Sequence, residues 1–138
     1  MSRSIVRSLI NAHVSSIVGL PPLQLENTAN IGQTGKPFSR LTLIPSATRQ
    51  VSVGAHGKDM AVGLAQLDLF FPKDLGTAGP DALADMVIAA FPRGLTLVDL
   101  DENVYVHFKS PSLRTGYLFE SFYCLPVTVE WSSVIQTQ

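Results

Sequence analysis

One cysteine stands in the chain, Cys124, so no internal disulfide can form and no cysteine-rich zinc site can be built. It lies in the apolar run Phe122-Tyr123-Cys124-Leu125, where a thiol reads as a small, buried, inert hydrophobe. Long apolar runs are missing as well. None reaches the roughly 18 residues that a membrane helix needs. The opening residues Met1-Ser2-Arg3-Ser4-Ile5-Val6-Arg7 lack the apolar stretch of a secretory leader. The expectation is a protein made and used in a cytoplasm, with no membrane partner. Charge is scarce: Asp, Glu, Lys and Arg make up 15% of the residues, against a usual share of about 25%. The net charge is −1 and the cations are scattered, without a basic stripe. That speaks against nucleic-acid binding as the main task, because phosphate contacts need clustered cations.

Catalytic signatures are equally sparse. The histidines His13, His56 and His107 form no HExxH or HxH pair. His13 reads as a helix-border residue, His107 as a strand residue and His56 as part of a glycine turn. Gly32-Gln33-Thr34-Gly35-Lys36 faintly suggests a phosphate loop. It lacks the first glycine, has Pro37 where Ser or Thr would hold magnesium, and runs into a strand instead of a helix. No G-x-S-x-G elbow occurs. Asp99, Asp101 and Glu102 share a turn, the usual place for solvated carboxylates. No catalytic, cofactor-binding or metal-binding residue is assigned, and no cofactor is expected. Triads assemble in space and not in sequence, so a small enzyme stays open as an alternative.

What the chain does have is apolar character in excess. At 138 residues it has the length of one domain. Hydrophobic residues reach 46% and mean hydropathy is +0.24. With so few charges, the surplus predicts burial in a subunit interface, which resembles a core cut in half.

The hydrophobic spacing predicts a helix over 4–18, with Ile5, Val6, Leu9, Ile10, Val14, Ile17 and Val18 as its stripe. Gly19, Pro21 and Pro22 stop it. A short edge strand over 23–27 and a loop over 29–37 follow. Residues 38–44 read as a strand ended by Pro45. A long hairpin over 48–71 has its turn at 54–59. Its returning strand carries the small residues Ala61, Gly63 and Ala65 on one face, suited to close packing of a helix or a second subunit, and Val62, Leu64, Gln66, Asp68 and Phe70 on the other. A second helix spans 80–91, with Pro80 in its first turn, Asp81 near its start and Leu83, Met86, Val87, Ala90 and Phe91 as its stripe. Strands at 96–100 and 104–108 flank an acidic turn. Residues 111–116 read as a loop or irregular edge, and 119–133 as a last strand in which Pro126 calls for a bulge or an edge position. The fold class is therefore α+β: one domain over 1–138, with a mostly antiparallel, mixed sheet and two helices packed on one face.

Five segments in order carry a family resemblance. They are Gly19-Leu20-Pro21-Pro22 running into Leu23-Gln24-Leu25-Glu26-Asn27; Arg40-Leu41-Thr42-Leu43-Ile44-Pro45; Gly63-Leu64-Ala65-Gln66-Leu67-Asp68-Leu69-Phe70-Phe71-Pro72; Phe91-Pro92-Arg93-Gly94; and Phe122-Tyr123-Cys124-Leu125-Pro126-Val127. From about residue 4 to 131 the chain resembles the tail terminator proteins of long-tailed bacteriophages. Its 98–104 hairpin is more acidic than that pattern.

The resemblance implies a non-catalytic virion protein of the tail and neck, assembled in the host cytoplasm. Its partners would be its own copies in a ring (a hexamer in the family), the major tail tube protein and the head–tail connector. DNA would pass through the lumen without sequence-specific binding. The ring would end tube growth and give the connector a docking surface. Candidate contact residues are Arg49, His56, Lys58, Asp59, Asp101 and Glu102; Arg93 and Arg114 are candidates to face the lumen and DNA. Another neck protein, such as a tail-completion or head-closure adaptor, is the nearest alternative, and a monomeric adaptor a further one.

Overall fold

A computed structural model describes residues 2–28, 35–50 and 58–136. In chain order the elements are α1 (Ser2–Ser15), β1 (Leu23–Gln24), β2 (Phe38–Gln50), β3 (Lys58–Pro72), α2 (Ala78–Ala89), β4 (Thr96–Asp99), β5 (Val104–Phe108), β6 (Ser112–Leu113), β7 (Tyr117–Phe119) and β8 (Phe122–Gln136). The strands form one curled sheet in the order β1-β2-β3-β8-β5-β4, with β6 and β7 also paired to β8. Only β1–β2 is parallel among these pairings, so the sheet is mixed and mostly antiparallel, and the α+β class holds.

Alternation with period two assigns the faces. Leu41 and Leu43 of β2, Ala61, Ala65, Leu67 and Leu69 of β3, and Leu125, Val127, Val129 and Trp131 of β8 point to one side. There they join Val6, Ile10 and Val14 of α1 and Ala84 and Val87 of α2 in a single core. Both helices thus cover the same face. Ala61 and Ala65 lie in this core, so the small-residue face of β3 is the helix side. His13 ties the two helices together: its Nε2 donates to the Ala90 carbonyl at 2.7 Å, and its ring meets Phe91 edge-on at 5.0 Å.

Several boundaries differ from the sequence reading. Helix α1 ends at Ser15, and Gly19 turns the chain with φ of +84°. Val18 therefore leaves the stripe and is 87% exposed. Pro45 does not end a strand. Strand β2 continues to Gln50 through a bulge between Pro45 and Ala47, while β1 pairs with β2 only at Ser39 and Arg40. A residue without an N–H is tolerated at such a bulge beside an edge that no strand covers among the described residues. Lys58 and Asp59 are already paired in β3, not in a turn. The first edge strand is shorter than expected, because Asn27 turns away with φ of 56°.

Strand β8 begins at Phe122, since Phe119 belongs to β7 and a tight turn at Glu120 (φ 54°) and Ser121 separates them. Pro126 sits in the unbroken register of β8 against β3, opposite Asp68, without the expected bulge. Its carbonyl accepts from the Arg114 N–H at 3.0 Å. In a strand the N–H and carbonyl of one residue point the same way, so the missing donor faces the irregular β6–β7 side and the β3 ladder loses nothing.

Candidate functional site

The face without helices holds a polar cluster embedded in phenylalanines. Phe38 of β2 stacks on Phe70 of β3 at 4.4 Å, and Phe122 of β8 meets Phe38 edge-on at 5.2 Å. Asp68 is 1% exposed. Its Oδ2 accepts from the Arg40 guanidinium at 3.3 Å and its Oδ1 from Gln66 Nε2 at 2.8 Å. Both carboxylate oxygens are thus engaged, which a buried anion requires. The Arg40 cation also lies over the Phe70 ring, 5.0 Å from its centre. Period two on β3 (Gln66, Asp68, Phe70) and the register Arg40 opposite Asp68 build this cluster.

Beside it, the Tyr117 phenol shares a hydrogen bond with the Cys124 thiol, and that bond pushes the phenol up to about 12. Burial pushes the thiol itself up to about 11. Both groups are neutral at cellular pH, so Cys124 is neither an activated nucleophile nor a ready metal ligand. Among the described residues, no group of three His, Cys, Asp or Glu side chains is placed to hold a metal ion. The cluster can fix the sheet's curvature and present a surface. It does not combine a nucleophile with a base.

The second feature is a groove of about 300 Å³ between the first turns of α1 and the sheet. Buried Val6, Leu43, Ala61 and Trp131 form its floor, and the exposed Arg3 and Arg7 stand at its rim. Arg7 pairs with Glu26 at 3.3 Å, and Glu26 also accepts from the Leu43 N–H. One carboxylate thereby caps the strand edge where β1 has ended and ties that edge to α1. The Arg3 guanidinium donates to Thr48 Oγ1 at 3.1 Å. Trp131 is 7% exposed, and its indole N–H has no partner among the described residues.

The third feature is the turn between β4 and β5. The Asp99 carboxylate accepts from the Glu102 N–H at 3.1 Å, and Asn103 adopts φ of 55°. This turn holds Leu100 80% exposed between acidic neighbours. A further exposed strip, Leu113, Tyr117, Leu118 and Phe119, runs along β6 and β7.

The candidate contact residues are scattered over these features. Asp101 and Glu102 are exposed at the β4–β5 turn. Asp59 lies within β3 and is half-buried. Arg49 pairs with Met60 in the β2–β3 ladder and Lys58 with Gln136 at the start of β3. His56 lies outside the described residues. Arg93 and Arg114 are both exposed, Arg93 in the turn after α2 and Arg114 between β6 and β7. Their neighbours reach β8 at separate places: Leu95 carries its contact to Phe108, opposite Trp131, whereas Arg114 bonds at Pro126. The sequence reading missed Arg40, Gln66, Asp68 and Tyr117 as a group, and Arg3, Arg7 and Trp131 as another. The Gln66-x-Asp68 spacing was a usable signal for the first group. Nothing in the sequence brings Arg3 to Trp131.

Over residues 5–131 the sequence matches the family described as phage tail terminator protein. Among curated proteins, none matches the sequence. One solved structure superposes with a TM-score of 0.70 over 96% of each chain at 18% identity. That likeness shows a shared fold. The family match spans α1 from its fourth residue, all of α2 and all but the last residues of the sheet, and the chain belongs to the phage tail terminator family, a structural component of the virion tail.

Proposed function

We propose that this chain is the tail terminator itself: copies close into a ring, a hexamer as in the family, on the head-proximal end of the tail tube. One face of the ring takes the place of the next tube layer and the other offers no further tube-binding surface, so polymerisation stops. That second face receives the head–tail connector. Identical subunits joined by a head-to-tail contact close into a ring when the rotation fits. The family match over residues 5–131 carries this reading. The exposed apolar residues at the β4–β5 turn and along β6–β7 support it, because a chain with few charges and exposed Leu100, Leu113 and Leu118 has surface to cover. Asp101 and Glu102 serve as contacts between subunits. Arg49, His56, Lys58 and Asp59 contact the tube or connector. Arg93 and Arg114 face the lumen, which DNA crosses without sequence readout; the exposure of both arginines supports this.

The test is to add purified protein to polymerising tube protein and measure tube lengths by negative-stain microscopy. Tubes that shorten as the added protein rises, with a ring at one end, are the expected outcome. Unchanged lengths with no density at tube ends would overturn the terminator role and point to another neck protein.

A further inference from the structure

The groove beside α1 and the β4–β5 turn are complementary in chemistry, and both belong to the same chain. The groove has an apolar floor, a buried indole N–H without a partner among the described residues, and two arginines at its rim. The turn carries one protruding leucine, Leu100, next to Asp101 and Glu102. Its shape is fixed in advance by the Asp99 carboxylate on the Glu102 N–H, so little order is lost when it docks.

Their placement in the sheet adds a second argument. Strand β4 closes one end of the strand order, and β2 lies next to the other end. Among the described residues no strand pairs with β2 beyond Arg40, where Glu26 caps its edge, and Leu43 and Pro45 of that strand line the groove, so the groove reaches the β2 side of the sheet. Both features also sit toward the same end of the strands. Ala61 of the groove floor is opposite Ser133, which is opposite Val106, two positions after Val104, the first residue of β5 at the turn. Complementary patches on opposite edges and at similar height relate neighbours by rotation with little translation. That is the condition for a closed ring and not an open helix.

We infer that the groove between α1 and strands β2, β3 and β8 receives the β4–β5 turn of a second copy of this chain. Leu100 enters over Trp131, and Asp101 and Glu102 meet Arg3 and Arg7. The inference rests on the ring reading and names the contact that closes the ring. Arg7 keeps Glu26 and offers its remaining donors, since a guanidinium carries five. Arg3 exchanges a neutral hydroxyl acceptor for a carboxylate, a stronger bond.

The test is a disulfide trap in the full chain, with and without tail tubes. Arg3→Cys and Leu100→Cys are combined in one variant, and Cys124 stays in place because it is fully buried. On mild oxidation, the double variant gives a ladder of covalent oligomers on a denaturing gel, ending at the ring number. Each single variant gives no ladder. Independently, Leu100→Asp, a change on an exposed turn that leaves the fold intact by circular dichroism, raises the concentration for half-assembly at least about tenfold. Rings of normal mass without a ladder, and unmoved by Leu100→Asp, would overturn this contact and leave the ring reading standing. A chain that stays monomeric in solution and on tubes would overturn both.

Discussion

Removing the Asp68 carboxylate tests the reading of the helix-free face. In the native fold, Asp68 accepts from Arg40 and Gln66, and its side chain is 2% exposed, whereas that of Arg40 is 37% exposed. Asp68→Ala strands a cation above Phe70 and a half-buried amide. Breaking a fully buried pair costs about 3–5 kcal/mol, but Arg40 can turn partly to water, so about 2–3 kcal/mol is expected. For a domain of this size that lowers Tm by about 6–12 °C. Replacing both partners with apolar residues, Arg40→Met with Asp68→Leu, removes the stranded charge and costs less than Asp68→Ala alone. The assay is urea unfolding followed by the fluorescence of Trp131, the one tryptophan in the chain, at fixed protein concentration because assembly adds stability. The reasoning is refuted if Asp68→Ala lies within about 0.5 kcal/mol of wild type, or if the two positions are additive in a double-mutant cycle.

Two further outcomes are expected. A Cβ at Gly63 would stand 2.7 Å from the Ile44 carbonyl oxygen and 2.8 Å from the Trp131 ring. Gly63→Ala therefore destabilises by about 1–3 kcal/mol, although alanine is ordinarily the better strand residue; a gain in the same urea assay would show that the strands yield freely. The second concerns alkaline pH. Cys124 and Tyr117 are raised from 9.0 and 10.0 to about 11 and about 12, so the folded state holds protons that the unfolded chain releases. Their contribution is complete below about pH 9 and is lost as pH rises through the folded values. Cys124→Ala should flatten part of the decline in stability between about pH 9 and about pH 11, and an equal decline in both proteins would contradict the assignment to the thiol.

The two helices, the hairpin and the alternation of β3 were legible because each follows a local period that burial enforces. Gln66, Asp68 and Phe70 fall on one face by spacing alone, and the structure keeps them there. The errors cluster where local chemistry is ambiguous. Pro45 reads as a stop, yet a bulge at an open edge absorbs it. Glu120 and Ser121 carry no glycine or asparagine, yet they make a tight turn because the Phe119–Phe122 pair on either side secures it. Pro126 reads as an edge or bulge residue, yet it lies mid-strand because its missing N–H points away from the β3 ladder.

By itself the sequence determined the α+β class, the inert cysteine, the lack of catalytic motifs and the family, because periodicity, composition and motif order are properties of the chain read in line. Tertiary structure alone decided which distant residues meet. Arg40 reaches Asp68 only once β2 and β3 are in register, and Arg3 and Trp131 come to one groove only when α1 crosses the sheet. The same packing left Leu100 exposed at the β4 edge of the sheet. Pairings across such separations depend on strand register and helix placement, which arise from burying the whole core at once and leave no local trace in the sequence.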